Sequence, residues 1–299
     1  MKKSLIFNLL FALLFSSISF AQEEEYENEE DVIEILVPPK KMRQDELVSQ
    51  KRPVQYSNIR EEDKLWSTTL WRTIDCREKM NYHLYYPTEK MDYRNSLVQA
   101  LVSAIDKKQI QAYDDEEFKI KLTPEEVAKR FDAEDKEVTQ EKIDGSGDTI
   151  MIQKGYVNWG EVREFIVKEE WFFDKRHSRF DVRIEAICPI RVYKRTLNTG
   201  EEEVLSGEEV KMPMFWVWYP DARRPLAREI CYTGKNNSNH YSFDDILHKR
   251  FFSSYITAES NSLNDRTIAS YARNGMEAMM ESERIKTELL KRESDLWEY

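Results

Sequence analysis

Apolar positions change their spacing along the chain, and the changes mark out its elements. Near the start, Lys2 and Lys3 precede an apolar run over residues 5–15, and Ser19-Phe20-Ala21 follows. A charged start, an apolar middle and small residues at the exit predict a secretion signal cleaved between Ala21 and Gln22. The apolar run is too short to span ~30 Å of hydrocarbon. Residues 22–31 are acidic with no base, a composition that does not order by itself. Ile33, Ile35 and Val37 then alternate before Pro38-Pro39. This stretch reads equally as an edge strand of its own domain and as a strand that adds to another sheet.

From Asn58, with Glu61 three residues on, the sequence offers a helix start. Trp66, Leu70 and Ile74 then fall on one helical face, which predicts a helix ending near residues 77–81. Tyr85-Tyr86-Pro87 predicts an extended break. Leu97, Leu101 and Ile105 predict a second helix, and Thr123-Pro124-Glu125-Glu126 a third, running to about Phe131. Residues 132–154, with Gly145-Ser146-Gly147, read as a hairpin or loop, and 159–167 as a short helix. The period then falls to two: Phe180, Val182, Ile184, Ala186, Cys188, Ile190 and Val192 alternate, which predicts a long half-buried strand. Its antiparallel hairpin partner is expected over residues 212–219. Helices follow again. One is capped by Ser242, and a long one is expected over 265–291 with Gly275 weakening its middle. Helices, then strands, then helices predict an α+β fold, with an antiparallel hairpin or sheet at about 180–219 packed by N-terminal and C-terminal helices. The expected organisation is a signal at 1–21, an extended arm at 22–57, one domain at 58–293 and a tail at 294–299.

Charge narrows the partners. The formal charge of -11 becomes more negative once Lys2 and Lys3 are removed, which argues against nucleic acid. Three cysteines, Cys76, Cys188 and Cys231, cannot all pair within one chain. Cys188 with Cys231 is one arrangement and buried free thiols the other.

Catalytic motifs are scarce. His83, His177, His240 and His248 lack metal spacing. Gly145-Ser146-Gly147 lacks the remainder of a phosphate loop, and no nucleophile elbow occurs. Asp244-Asp245 reads as helix capping. No catalytic residue, metal ligand or cofactor is expected. The aromatic residues stand out instead. Alternation puts Trp216 and Trp218 on one strand face and Phe215 and Tyr219 on the other, so something must cover both. Such residues fill a core or form interface hot spots. The candidate partner-binding residues are therefore Ile33, Ile35, Val37, Phe215, Trp216, Trp218 and Tyr219.

One combination of segments is more specific. It comprises Asn58-Ile59-Arg60-Glu61-Glu62-Asp63, Trp66, Trp71-Arg72, Ile74-Asp75, Arg77-Glu78-Lys79 and Tyr85-Tyr86-Pro87. Further along it includes Trp216-Val217-Trp218-Tyr219-Pro220, Arg250, Phe252-Ser253-Ser254-Tyr255-Ile256, Glu259-Ser260-Asn261 and Asp265-Arg266. Together these resemble the gliding-motility GldN / PorN family of the Bacteroidetes type IX secretion system, over about residues 55–285. Cys231-Tyr232-Thr233 departs from that family's pattern. The resemblance implies a non-enzymatic periplasmic subunit without a cofactor. It implies a ring formed with a GldK/PorK-like outer-membrane lipoprotein and contacted by a GldM/PorM-like motor segment. With no cysteine at the cleavage point after Ala21 to carry a lipid, a lipidated partner would have to hold the chain at the outer membrane. Asp148-Thr149-Ile150 also resembles an O-glycosylation site of exported Bacteroidetes proteins, with Thr149 as acceptor. Two other classes compete: a glycan-binding module that stacks sugars on Trp216 and Trp218, and a glycan hydrolase with carboxylates ~5–9.5 Å apart.

Overall fold

The computed structural model describes residues 50–91, 94–131, 136–141, 148–153, 157–199, 202–234 and 241–295. The signal segment with Ala21 and Gln22, the arm residues Ile33, Ile35 and Val37, and His240 lie outside them.

The first predicted helix is a strand. Residues 61–63 make only a 3-10 turn, and β1 (Lys64–Asp75) follows. Trp66, Leu70 and Ile74 are four apart, a spacing that puts side chains on one face of either a helix or a strand. The residues between them decide the outcome. Thr68, Thr69, Trp71 and Thr73 favour a pleated surface, and strands are available on both sides.

After β1 the chain forms α1 (Tyr82–Tyr85) and a cis Tyr86–Pro87 bond. The predicted second and third helices are α2 (Leu97–Asp106) and α3 (Pro124–Arg130). Both begin with capping boxes, on Ser96 with Gln99 and on Thr123 with Glu126. Between them run two short strands, β2 (Ala112–Tyr113) and β3 (Lys121–Leu122).

The expected 132–154 hairpin has β4 (Lys136–Glu141) and β5 (Asp148–Gln153) as its strands, with Thr149 paired to Gln140. The helix expected at 159–167 shrinks to a 3-10 turn over Trp159–Glu161, started by Asn158, whose side chain accepts from the Gly160 N–H. Strand β6 (Val162–Asp174) takes over. Its period-two pattern of Phe165, Val167, Trp171 and Phe173 is interrupted by Glu169, which disguises it in the sequence.

The long predicted strand is β7 (Arg179–Thr199). Its hairpin partner, however, is β8 (Glu202–Pro213), in register from Thr199 opposite Glu202 to Ile190 opposite Pro213. The residue run expected there, 212–219, is broken. Pro213 has no N–H to continue a ladder, and the Met214 N–H instead bonds the Pro189 carbonyl at 2.9 Å. The chain resumes as β9 (Trp216–Trp218), opposite Ala186 and Ile187. Tyr219 already starts α4 (Tyr219–Arg228).

Helix α5 (Phe243–His248) carries the predicted Ser242 cap, and β10 (Tyr255–Glu259) follows. The final helix, α6, spans Gly275–Asp295 rather than 265–291. Asn264 and Asp265 take positive φ, and the Asn274 side chain accepts from the Glu277 N–H. Gly275 therefore opens the helix instead of weakening its middle.

These strands form an eight-stranded sheet in the order β10-β1-β6-β7-β9-β2-β3, with β8 also on β7, and its β1, β6 and β7 ladders are antiparallel. Strands β4 and β5 form a separate two-stranded sheet. The fold is α+β.

One sheet face carries two apolar clusters. Ile74, Phe165, Val167, Phe215 and Val217 meet Leu97 and Leu101 of α2, Leu226 of α4 and Phe243 of α5. Leu70 and Ile256 meet Ile285 and Leu289 of α6, with Trp66 and Trp171 packed alongside. On the other face Ala186, Cys188 and Trp216 are covered by Trp71, Tyr113 and Phe118. All three cysteines are buried and free.

Glu169 lies on the helix-covered face at 0% exposure. Arg250 donates to its two oxygens at 2.8 and 3.1 Å, and the Trp171 indole donates at 3.0 Å. Arg250→Ala strips a buried carboxylate of its partner. Urea unfolding should show a loss of about 3–5 kcal/mol.

Candidate interaction surface

The aromatic strand proposed as a partner surface is packed inside the fold. Phe215 and Tyr219 are fully buried and Trp216 is 9% exposed. The predicted split between faces holds: Phe215 and Tyr219 enter the helix-covered core, and Trp216 the opposite cluster. Trp218 is half-buried against Phe118, edge to face at 5.1 Å. The second layer is thus the loop after β2, tied down by the Trp71 indole donating to Glu116 at 2.8 Å. Trp216 and Trp218 do not form open stacking platforms.

A different set of rings lines a groove of about 1010 Å³. Met80, Tyr82, His83 and Tyr86 form one wall around α1; Tyr232, Tyr241, Ile246 and Phe251 form the other. Met80, Tyr86 and Phe251 are 55%, 52% and 44% exposed. The rings brace one another. Tyr86 meets Tyr82 and Tyr85 edge to face at 5.7 and 4.9 Å, and Tyr241 meets Phe251 at 6.1 Å.

Asn81, fully buried beneath this wall, holds its geometry. Its amide donates to the carbonyls of Asp75 and Ser253 and accepts from the Ser253 N–H, at 2.8–2.9 Å. Two segments far apart in sequence are joined there. Burial holds the His83 imidazole below its ordinary pKa, with the backbone at Met80 and Phe251 acting the other way. It therefore presents a neutral surface at pH 7. Among the described residues, Glu89 is the carboxylate that lines the groove.

Behind α5 a second polar node anchors residues 51–56. Arg223 donates to Asp244 at 2.9 Å and to the Val54 carbonyl at 2.6 Å, and the Tyr219 hydroxyl donates to Asp244 at 2.9 Å. Arg223 also lies 4.1 Å from the Tyr56 ring centre, and Lys51 pairs with Asp245. The sequence signalled Ser242 as a cap, and Asp245 closes that box. Neither node was legible beforehand, because each joins residues distant in the chain.

Among the described residues, no His, Cys, Asp or Glu side chains group as metal ligands. A family model described as gliding motility associated protein GldN matches residues 59–298. The chain belongs to this GldN family, which implies involvement in gliding motility and type IX secretion. The family is one of structural components and is not known as enzymatic. No curated protein matches the chain significantly. Among the described residues, no helix is long and apolar enough to cross a membrane.

Two outcomes follow from this geometry. Replacing exposed Tyr86 and Phe251 by Ser should change stability by under about 1 kcal/mol each, read by urea unfolding, while weakening capture of the chain's machinery partners in a pull-down. Burial raises the Tyr219 pKa well above 10.0. The stability it lends is complete below pH 10 and is lost as pH rises beyond it, because the unfolded chain ionises first. Tyr219→Phe should flatten this alkaline fall in a pH series of thermal melts.

Proposed function

We propose that this chain is a periplasmic structural subunit of the type IX secretion and gliding machine. It forms a ring with a GldK/PorK-like outer-membrane lipoprotein, and the ring is contacted by the GldM/PorM-like periplasmic motor segment. The observation that carries the reading is the family match, which takes in both walls of the groove. A rigid patch of half-exposed tyrosines suits this role, since such rings give large contact area at little entropic cost. In this reading the apolar arm residues Ile33, Ile35 and Val37 add to the assembly, and Thr149 is a modification site.

The test is co-expression with the lipoprotein. The two should co-purify as a complex far larger than a heterodimer, and ring-shaped particles should appear in micrographs. A chain that stays a lone monomer with the lipoprotein present overturns the reading. Deleting residues 22–49 leaves the Lys51 and Val54 contacts in place. The deletion should keep the melting temperature and reduce the yield of large complex in gel filtration.

A further inference from the structure

Helix α6 buries one face and leaves the opposite one open. Ser282, Ile285 and Leu289 are buried. Ile285 and Leu289 meet Leu70 and Ile256, and the Ser282 hydroxyl accepts from the Ile256 N–H at 2.9 Å. At about 3.6 residues per turn, Met276, Met280, Glu283, Thr287 and Leu290 lie along the other side, with Met279 beside them. All six are exposed, Met276, Met279 and Met280 at 71%, 70% and 68% and Leu290 at 55%. Three adjoining methionines make an apolar patch, and methionine is common at surfaces that receive a partner.

Spacing and charge both suit a second copy of the same helix. From Met276 the open positions step by four, three, four and three, which is the seam of a two-helix coiled coil. Laid parallel, two such helices set Glu283 on Glu283 and Lys286 beside Lys291, like charge against like. Laid antiparallel about a two-fold axis, Met280 meets Leu290 of the second copy, and Thr287 meets its Glu283. On one flank Glu277 then faces Lys291 of the second copy, and the symmetry makes each contact twice. Arg284 comes near its own counterpart at the axis, but Glu281 at 2.7 Å and Glu288 at 2.5 Å answer it within its own helix. Glu277 accepts the Arg273 N–H at 2.8 Å through one oxygen, and Lys291 is exposed.

We propose that two copies of this chain pair through α6, antiparallel, with Met280 against Leu290 and Glu277 against Lys291 across the axis. Such a contact is isologous, so it closes on a pair of chains. It goes beyond the subunit reading above and stands on the helix itself. One helix pair covers less than the ~1,200–2,000 Å² of a stable interface, so the pair forms and parts with concentration.

Charge reversal in the full chain tests the register. E277K makes both members of each cross-axis pair basic, and K291E makes both acidic. Mixed one to one, the two variants put a base opposite an acid on both sides of the axis, and so does the double exchange E277K/K291E within one chain. In sedimentation velocity the wild-type chain should associate as its concentration rises to about 100 µM. Each single variant should associate at least about tenfold more weakly, and the mixture and the double exchange should recover the wild-type strength. M280S/L290S, which leaves the Glu277 bond to Arg273 intact, should stay monomeric with an unchanged melting temperature by circular dichroism. A wild-type chain that stays monomeric, an M280S/L290S chain that associates like the wild type, or a mixture as weak as the single variants overturns the proposal. A monomeric wild-type chain whose capture of the lipoprotein is lost in M280S/L290S also overturns it and assigns the stripe to that partner.

Discussion

Glu169 puts a carboxylate at the middle of β6, where water does not reach it. Burying such a group costs several kcal/mol unless a charge and hydrogen bonds answer it. Arg250 and Trp171 supply those bonds. Arg250 adopts φ +57°, so the turn after α5 takes a backbone conformation that L residues seldom use. The adjoining residues follow from this attachment. Phe251 reaches the groove, Phe252 the core, and Ser254 accepts from Arg72 at 2.9 Å. Burial lowers the Arg72 pKa, with Glu169 opposing the shift and Arg250 adding to it.

The same turn positions one wall of the groove against the other. Asn81 bonds to Ser253 from the α1 side, so the tyrosines of α1 and the Phe251 ring are held at a fixed separation. Rigid aromatic walls lose little freedom when a partner covers them. Apolar surface of this kind stays open only where a protein has a use for it.

The two faces of the sheet are closed by different means. Helices α2, α4, α5 and α6 cover one side, and Phe118 of the short loop between β2 and β3 covers part of the other together with Tyr113 of β2 and Trp71 of β1. This explains why a strand as aromatic as β9 is structural. Its rings already have partners on both faces, and the rings left exposed are Tyr82 of α1 and Tyr86 just after it.

Local chemistry was enough to locate α2, α3 and α5, because Ser96, Thr123 and Ser242 with their box partners act within one turn. It was also enough for β7, whose alternation runs unbroken, and for the α+β class. The combination of short segments led to the family. The rest required tertiary structure. A spacing of four fits a helix face and a strand face alike, so β1 became a strand because β6 and β10 flank it. Pro213 ended β8 early, yet only the partner strand β7 shows where the chain resumes. The groove joins residues near 80 to residues near 250 through Asn81 and Ser253. Side chains so distant carry no common periodicity, and the sheet alone brings them together.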